Sequence, residues 1–112
     1  MDCLFCGIIG GEIPSSKVYE DEKVYAFLDI NPQAPVHVLV VPKEHIPSAD
    51  CINADNSEYI SAVFEAIPRI AEACGLENGY RVITNVGEDG CQSVRHIHFH
   101  LLGGKKLPEN MG

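Results

Sequence analysis

At 112 residues, with 46% apolar and 21% charged side chains, the chain has the size and balance of one globular domain with its own core, which excludes a disordered or fibrous protein. Eight Lys and Arg against sixteen Asp and Glu leave a net charge of -8, which argues against a nucleic-acid backbone or an anionic membrane as partner. Five cysteines, an odd number, with no apolar leader and no run of ~20 apolar residues, read as a reducing cytoplasm, with neither a disulfide framework nor a membrane span.

Residues 3–10 (CLFCGIIG) are expected to form a short helical turn ending at Gly10-Gly11. KVYEDEKVYAFLDI then carries two β-prone runs, 17–19 and 24–28, about a polar turn, the pattern of a hairpin. NPQAP breaks the chain at 31–35, VHVLVV (36–41) is a third strand, and Pro42 ends it. The main helix is expected over about 56–74, with Asp55 as N-cap and Glu58 as its box partner. Ile60, Val63, Phe64, Ile67, Ile70, Ala71 and Cys74 recur at helical spacing, and Gly75 suits the position after the C-cap. Pro68 removes a backbone bond inside this helix and is expected to kink it.

YRVITNV (80–86) and VRHIHFHLL (94–102) read as the last two strands, joined by the glycine-rich GEDGCQS. The tail from 105 to 112 has no periodicity. The fold class is therefore α+β: a five-stranded antiparallel sheet with one main helix packed on one face, plus the short N-terminal helix, in a single domain over 1–112.

In the last strand His96, His98 and His100 alternate with Ile97, Phe99 and Leu101. Side chains on a strand alternate between faces, so the imidazoles would share one face, roughly 6–7 Å apart at ~3.3 Å per residue. The apolar three would meet the main helix, and the histidines would look into an open face. Metal binding, phosphate chemistry and a merely solvated face all fit that pattern. Imidazole suits phosphoryl chemistry because one nitrogen is nucleophilic near neutral pH while a neighbouring ring donates to phosphate oxygens. Gln92 and Ser93 add polar groups at the start of the strand. A Ser93 hydroxyl could pass a proton to a leaving group, or simply form a turn.

HIHFHLL resembles the signature of the histidine-triad family, and the likeness extends to DINPQAPVHVLVVPKEHI, GYRVITNVGEDG, QSVRHIHFHLLGGKKL and the N-terminal CLFCGIIGGEIPSSKVYEDEKVYAF. It points to the nucleotide-binding, purine nucleoside phosphoramidase branch. The resemblance implies a hydrolase of AMP conjugates. His98 would be the nucleophile that forms a nucleotidyl-histidine, His100 and His37 would place the phosphate and the nucleophile, and Ser93 would assist the leaving group. It implies Asp29 at the ribose, with Asn85 and Gln92 on the phosphate side and Phe5, Ile8, Phe27 and Ile30 as the apolar wall of the base. No catalytic metal is implied, and a homodimer is. A dinucleoside polyphosphate hydrolase and a non-catalytic nucleotide-binding regulator are the alternatives left open.

Cys3-x-x-Cys6 alone is either half of a zinc site or a redox pair. A redox pair follows a strand, and only two residues precede Cys3, which favours zinc. His45 in PKEHI and His96 are the further ligands available. In a zinc-containing bacterial-type branch of the resembling superfamily, matching positions bind the metal. A closed Cys2His2 set would be structural and would clamp segment 1–10 to the sheet. Cys74 belongs to the helix's apolar stripe, Cys51 reads as a bystander, and Cys91 stands where the family usually has glycine.

Overall fold

The structure is a computed structural model describing residues 3–111, in which a six-residue helix α1 (Leu4–Ile9) leads into the hairpin β1 (Lys17–Glu20) and β2 (Val24–Leu28). There follow β3 (Val36–Pro42), a 3-10 turn (Ala49–Cys51), the long helix α2 (Ser57–Ala73), β4 (Arg81–Ile83) and β5 (Phe99–Gly103). The strands form one sheet in the order β1-β2-β3-β5-β4, every neighbouring pair antiparallel. The expected α+β architecture is thus the observed one.

Both faces of the sheet are apolar, and each has its own cover. On one face Val24, Ala26, Val38, Val40, Ile97, Phe99 and Leu101 pack with Val63, Ala66, Ile67, Ile70 and Ala71 of α2. On the other, Tyr25, Phe27, Leu39 and Val41 pack with Phe5 and Ile8 of α1. This corrects the expectation that the histidines look into open space. The second set of alternating residues on β2 and β3 is itself hydrophobic and must be removed from water, so α1 lies over it. His37, His96 and His98 are consequently buried.

α2 departs from its expected ends in one respect. Asn56, not Asp55, is the N-cap, and no side-chain cap bond forms. Asn53 organises the turn instead: its Oδ1 accepts from the Asp55 amide at 2.8 Å, and its own amide donates to Asn56 Oδ1 at 2.8 Å. Glu58 lies 3.9 Å from Lys23, so the expected capping box is absent. The helix runs continuously through Pro68, which sits on the exposed side where water can satisfy the carbonyl freed by its missing N–H. Phe64, expected in the apolar stripe, is half exposed and touches Phe99 edge-on. The C-terminus closes as expected. Gly75 takes φ 73°, its amide donates to Glu72 O, and Leu76 N donates to Ala71 O, the paired bonds of a Schellman end.

The last two strands are shorter than their sequence patterns. β4 pairs with β5 only through Arg81, Val82 and Ile83. Ahead of Phe99 the chain leaves the ladder, and its polar groups go elsewhere: the Ile97 amide to Ile46 O, and the His98 carbonyl to the Thr84 hydroxyl at 2.8 Å. His96 and His98 therefore precede β5, and only His100 lies within it.

Candidate functional site

That irregular entry divides the three histidines between two clusters. His96 turns towards α1. Its Nδ1 lies 3.4 Å from Cys3 Sγ, 3.6 Å from Cys6 Sγ and 3.3 Å from His45 Nδ1, and His45 Nδ1 lies 3.4 Å from Cys6 Sγ. The four donor atoms all fall within 4.8 Å of one another. A tetrahedral zinc with bonds of ~2.3 Å to sulfur and ~2.05 Å to nitrogen has edges of about 3.6 Å and about 3.3 Å. The donor set and its spacing fit such an ion. His96 Nε2 donates to the Pro42 carbonyl at 2.9 Å, the outer contact that orients a metal-binding imidazole. Burial, then the adjacent Cys3, pushes the Cys6 thiol up to about 11, so without a cation this thiol resists ionisation.

His98 and His100 join His37 on the other side. Register places His37 opposite Leu102 and Leu39 opposite His100, which makes His37 and His100 diagonal neighbours on one face. Their hydrogen-bond partners fix the protons. The Gln33 amide donates to His37 Nδ1 at 3.0 Å, so the His37 proton sits on Nε2. That Nε2–H donates to His100 Nδ1 at 2.9 Å, which leaves the His100 proton on its Nε2. Asp29 Oδ2 stands 3.4 Å from His37 Nε2, while its Oδ1 accepts from the Asn31 amide at 2.8 Å. His98 Nδ1–H donates to the His96 carbonyl at 2.8 Å. His98 Nε2 thereby keeps its lone pair, and no hydrogen bond seen among the described residues uses it. Burial, then the neighbouring His98 and His37, pushes His100 down to about 4, and burial also lowers His37 against the pull of Asp29. Both rings are held neutral near pH 7.

Asp29, His37 and His100 also bring three donor atoms within 4.8 Å. The Nδ1 lone pairs of both rings are already engaged in the chain of bonds running from Gln33, and Asp29 Oδ1 accepts from the Asn31 amide, so the arrangement reads as a proton-ordered relay.

Two cavities flank these clusters. One, of about 490 Å³, is lined by Ile8, Pro14, Ser15, Ser16, Phe27, Leu28, Asp29 and Ile30. It gathers the expected ribose carboxylate and three of the four expected wall residues. Phe5, the fourth, is buried instead against Phe27 and against the rings of His98 and His96. The other cavity, of about 670 Å³, is lined by Ser93, Val94 and Arg95 beside Leu4, Cys3, Cys6 and His45.

Ser93 is exposed, and Asn85 follows β4 half-buried. Gln92 is committed to the loop: its Nε2 donates to Pro47 O and Val94 O, and its Oε1 accepts from the Gly87 amide. It shapes the 87–93 loop from within. Cys91 adopts φ 59°, the left-handed region that explains why glycine suits this position. Gly90 is a second constraint, since a Cβ there would lie 2.5 Å from Val86 O. Gln33, Thr84 and the Pro42 carbonyl had no signal in the sequence. They act through main-chain atoms or on main-chain atoms, which side-chain patterns do not encode.

A HIT domain model matches residues 10–107. The chain is 49% identical over 106 residues to the 14 kDa zinc-binding protein of Zea mays, covering 93% of this chain and 83% of that one. It is 44% identical over 107 residues to the purine nucleoside phosphoramidase of Escherichia coli (strain K12), covering 95% and 90%. Among solved structures, a histidine triad protein from Clostridium difficile matches with TM-score 0.94 at 51% identity, covering 98% and 96%. A HIT family hydrolase from Legionella pneumophila Philadelphia 1 matches with TM-score 0.95 at 46% identity, covering 99% and 100%.

Proposed function

We propose, from the premise that this chain belongs to the HIT domain family, that it hydrolyses purine nucleoside phosphoramidates or related AMP conjugates at the α-phosphate. The observation that carries this reading is the free lone pair on His98 Nε2, held in that tautomer by the His96 carbonyl. His98 Nε2 attacks phosphorus as the P–N bond to the leaving amine breaks, and the Ser93 hydroxyl hands that nitrogen its proton. The phosphorylated imidazole is cationic and a good leaving group, so water displaces it, giving up a proton that returns to the Ser93 oxygen, and His98 is restored. His100 Nε2–H, ordered by His37, donates to the non-bridging phosphate oxygens. Asp29 holds the ribose hydroxyls, Asn85 contacts the phosphate side, and Ile8, Phe27 and Ile30 wall the base.

The relative named as a phosphoramidase supports this substrate class, and the relative named as zinc-binding supports zinc at Cys3, Cys6, His45 and His96. That ion would tie α1 to the sheet and touch neither the phosphate nor the leaving group. β4 is an edge strand, and Phe64, Tyr80 and Val86 are exposed. We assign this edge to a second copy of the chain and the protein to the reducing cytoplasm. No helix among the described residues is long and apolar enough to cross a membrane.

Kinetics on adenosine and guanosine phosphoramidates, diadenosine polyphosphates and nucleotide sugars test the assignment. Phosphoramidates are expected to have the highest kcat/KM. A clear preference for dinucleoside polyphosphates would move the chain to that branch, and binding without turnover would make it a nucleotide sensor.

A further inference from the structure

We propose that the Cys3–Cys6–His45–His96 cluster, together with Phe5 carried between its two cysteines, positions the nucleophile His98, so that metal centre and phosphoryl chemistry are mechanically one site. The inference rests on the reading of His98 given above and supplies a cause for that ring's tautomer and orientation.

Two independent connections carry it. The first is through the backbone. The His96 ring is fixed at both nitrogens, by the cluster at Nδ1 and by the Pro42 carbonyl, 2.9 Å away, at Nε2. A ring held at both ends fixes the orientation of its own residue. The carbonyl of that residue, 2.8 Å from His98 Nδ1, keeps the His98 proton off Nε2. No strand ladder performs this task, because β5 begins only at Phe99.

The second connection is a side chain. The Phe5 ring meets His98 edge-on, with centroids 5.1 Å apart and planes at 86°, and it also meets His96 at 5.9 Å and Phe27 at 5.5 Å. Phe5 lies on a helix of six residues, too short to persist by itself. Cys3 caps that helix, its sulfur accepting from the Cys6 amide, and Cys3 and Cys6 fasten it to His96 and His45. Releasing the cluster therefore frees the wall against which His98 stands as well as the carbonyl that sets its tautomer. His96, the triad histidine turned to the cysteines, and Phe5, the expected wall residue buried against Phe27 and the His96 and His98 rings, both become positioning residues.

The test compares three forms of the full chain: metal-loaded, chelator-stripped, and metal-loaded Phe5→Leu. The readouts are the imidazole 15N shifts of His98 and separate kcat and KM values on an adenosine phosphoramidate. In the loaded protein His98 should show one protonated Nδ1 and one unprotonated Nε2. In the stripped protein the two shifts should average, whereas Phe5→Leu, which keeps the His96 carbonyl in place, should retain the tautomer; in both, kcat should fall about tenfold with KM within about twofold, since a misplacement of ~1 Å can cost ~10²-fold. An unchanged His98 tautomer in the stripped chain, or an unchanged kcat in Phe5→Leu, would overturn the proposal. If stripping unfolds the chain, Phe5→Leu alone decides. The 15N readout needs no turnover. A wild-type protein without hydrolysis whose His98 tautomer still follows the cluster would retire the hydrolase reading and leave the positioning device standing.

Discussion

His96 and His98 lie two residues apart and do different work. Around His96 the Nδ1 atoms of two imidazoles approach to 3.3 Å beside two sulfurs, a convergence of lone pairs that calls for a cation. Around His98 donors and acceptors alternate, from the Gln33 amide through His37 Nε2–H to His100 Nδ1, and from His98 Nδ1–H to the His96 carbonyl. The chemistry of a histidine is therefore set by what its second nitrogen touches. His96 sends Nε2 to the Pro42 carbonyl and turns Nδ1 to two sulfurs and a second imidazole, whereas His98 spends Nδ1 on a carbonyl and keeps Nε2 for the attack proposed above.

Substitutions that exchange or erase these roles should separate the two clusters. The largest effect is expected for His98→Ala, which should lower kcat by roughly 10³-fold or more while the zinc content, by elemental analysis, stays at one per chain. Wild-type turnover by this variant would break the distinction. Next comes Cys3→Ser, expected to reduce zinc to a substoichiometric level and to lower Tm by roughly 10 °C, because metal binding is coupled to folding. A variant as stable as the parent would remove the structural role from the cluster.

On the relay side, His100→Gln should cost roughly 10²-fold in kcat with intact metal content. The pH dependence has a definite sign. His100 in the fold protonates only at about 4, well below its ordinary 6.5, so the unfolded chain takes up that proton first. The contribution of neutral His100 to stability is fully present above about pH 6.5 and is lost as pH falls through about 4. His37, also lowered, adds in the same direction. The drop in Tm between pH 7 and pH 5 should therefore be smaller in His100→Gln than in the parent. The smallest effect is expected at Cys91, which neither cluster touches. Cys91→Gly relieves a positive φ and should change stability by less than ~1 kcal/mol.

Much of this was legible in the sequence, and the failures have a common cause. Hydrophobic alternation on β2 and β3, helical spacing on α2 and Gly75 at its end were read correctly because burial writes directly into residue type. Four metal donors scattered from Cys3 to His96 converge as the motif and the resemblance implied. The expected open histidine face fails because the alternation of β5 by itself does not show what covers the sheet. Tyr25, Phe27, Leu39 and Val41 on its neighbours already announced a second buried face. The capping box failed for a different reason: Asn53, upstream of the pattern, captured the turn. Strand 94–102 was overextended because its alternation reflects two converging clusters, and no partner ladder exists ahead of Phe99. Tautomers were beyond any sequence reading, since Gln33 and His96 set them with backbone atoms.

The most direct measurement is to mix the metal-loaded protein with an adenosine phosphoramidate, quench in base, and map the adduct by mass spectrometry. A base-stable, acid-labile nucleotidyl group on His98, absent from His98→Ala, is the expected result. Hydrolysis by a His98→Ala protein at the parent rate, or an adduct on any other residue, would contradict the account.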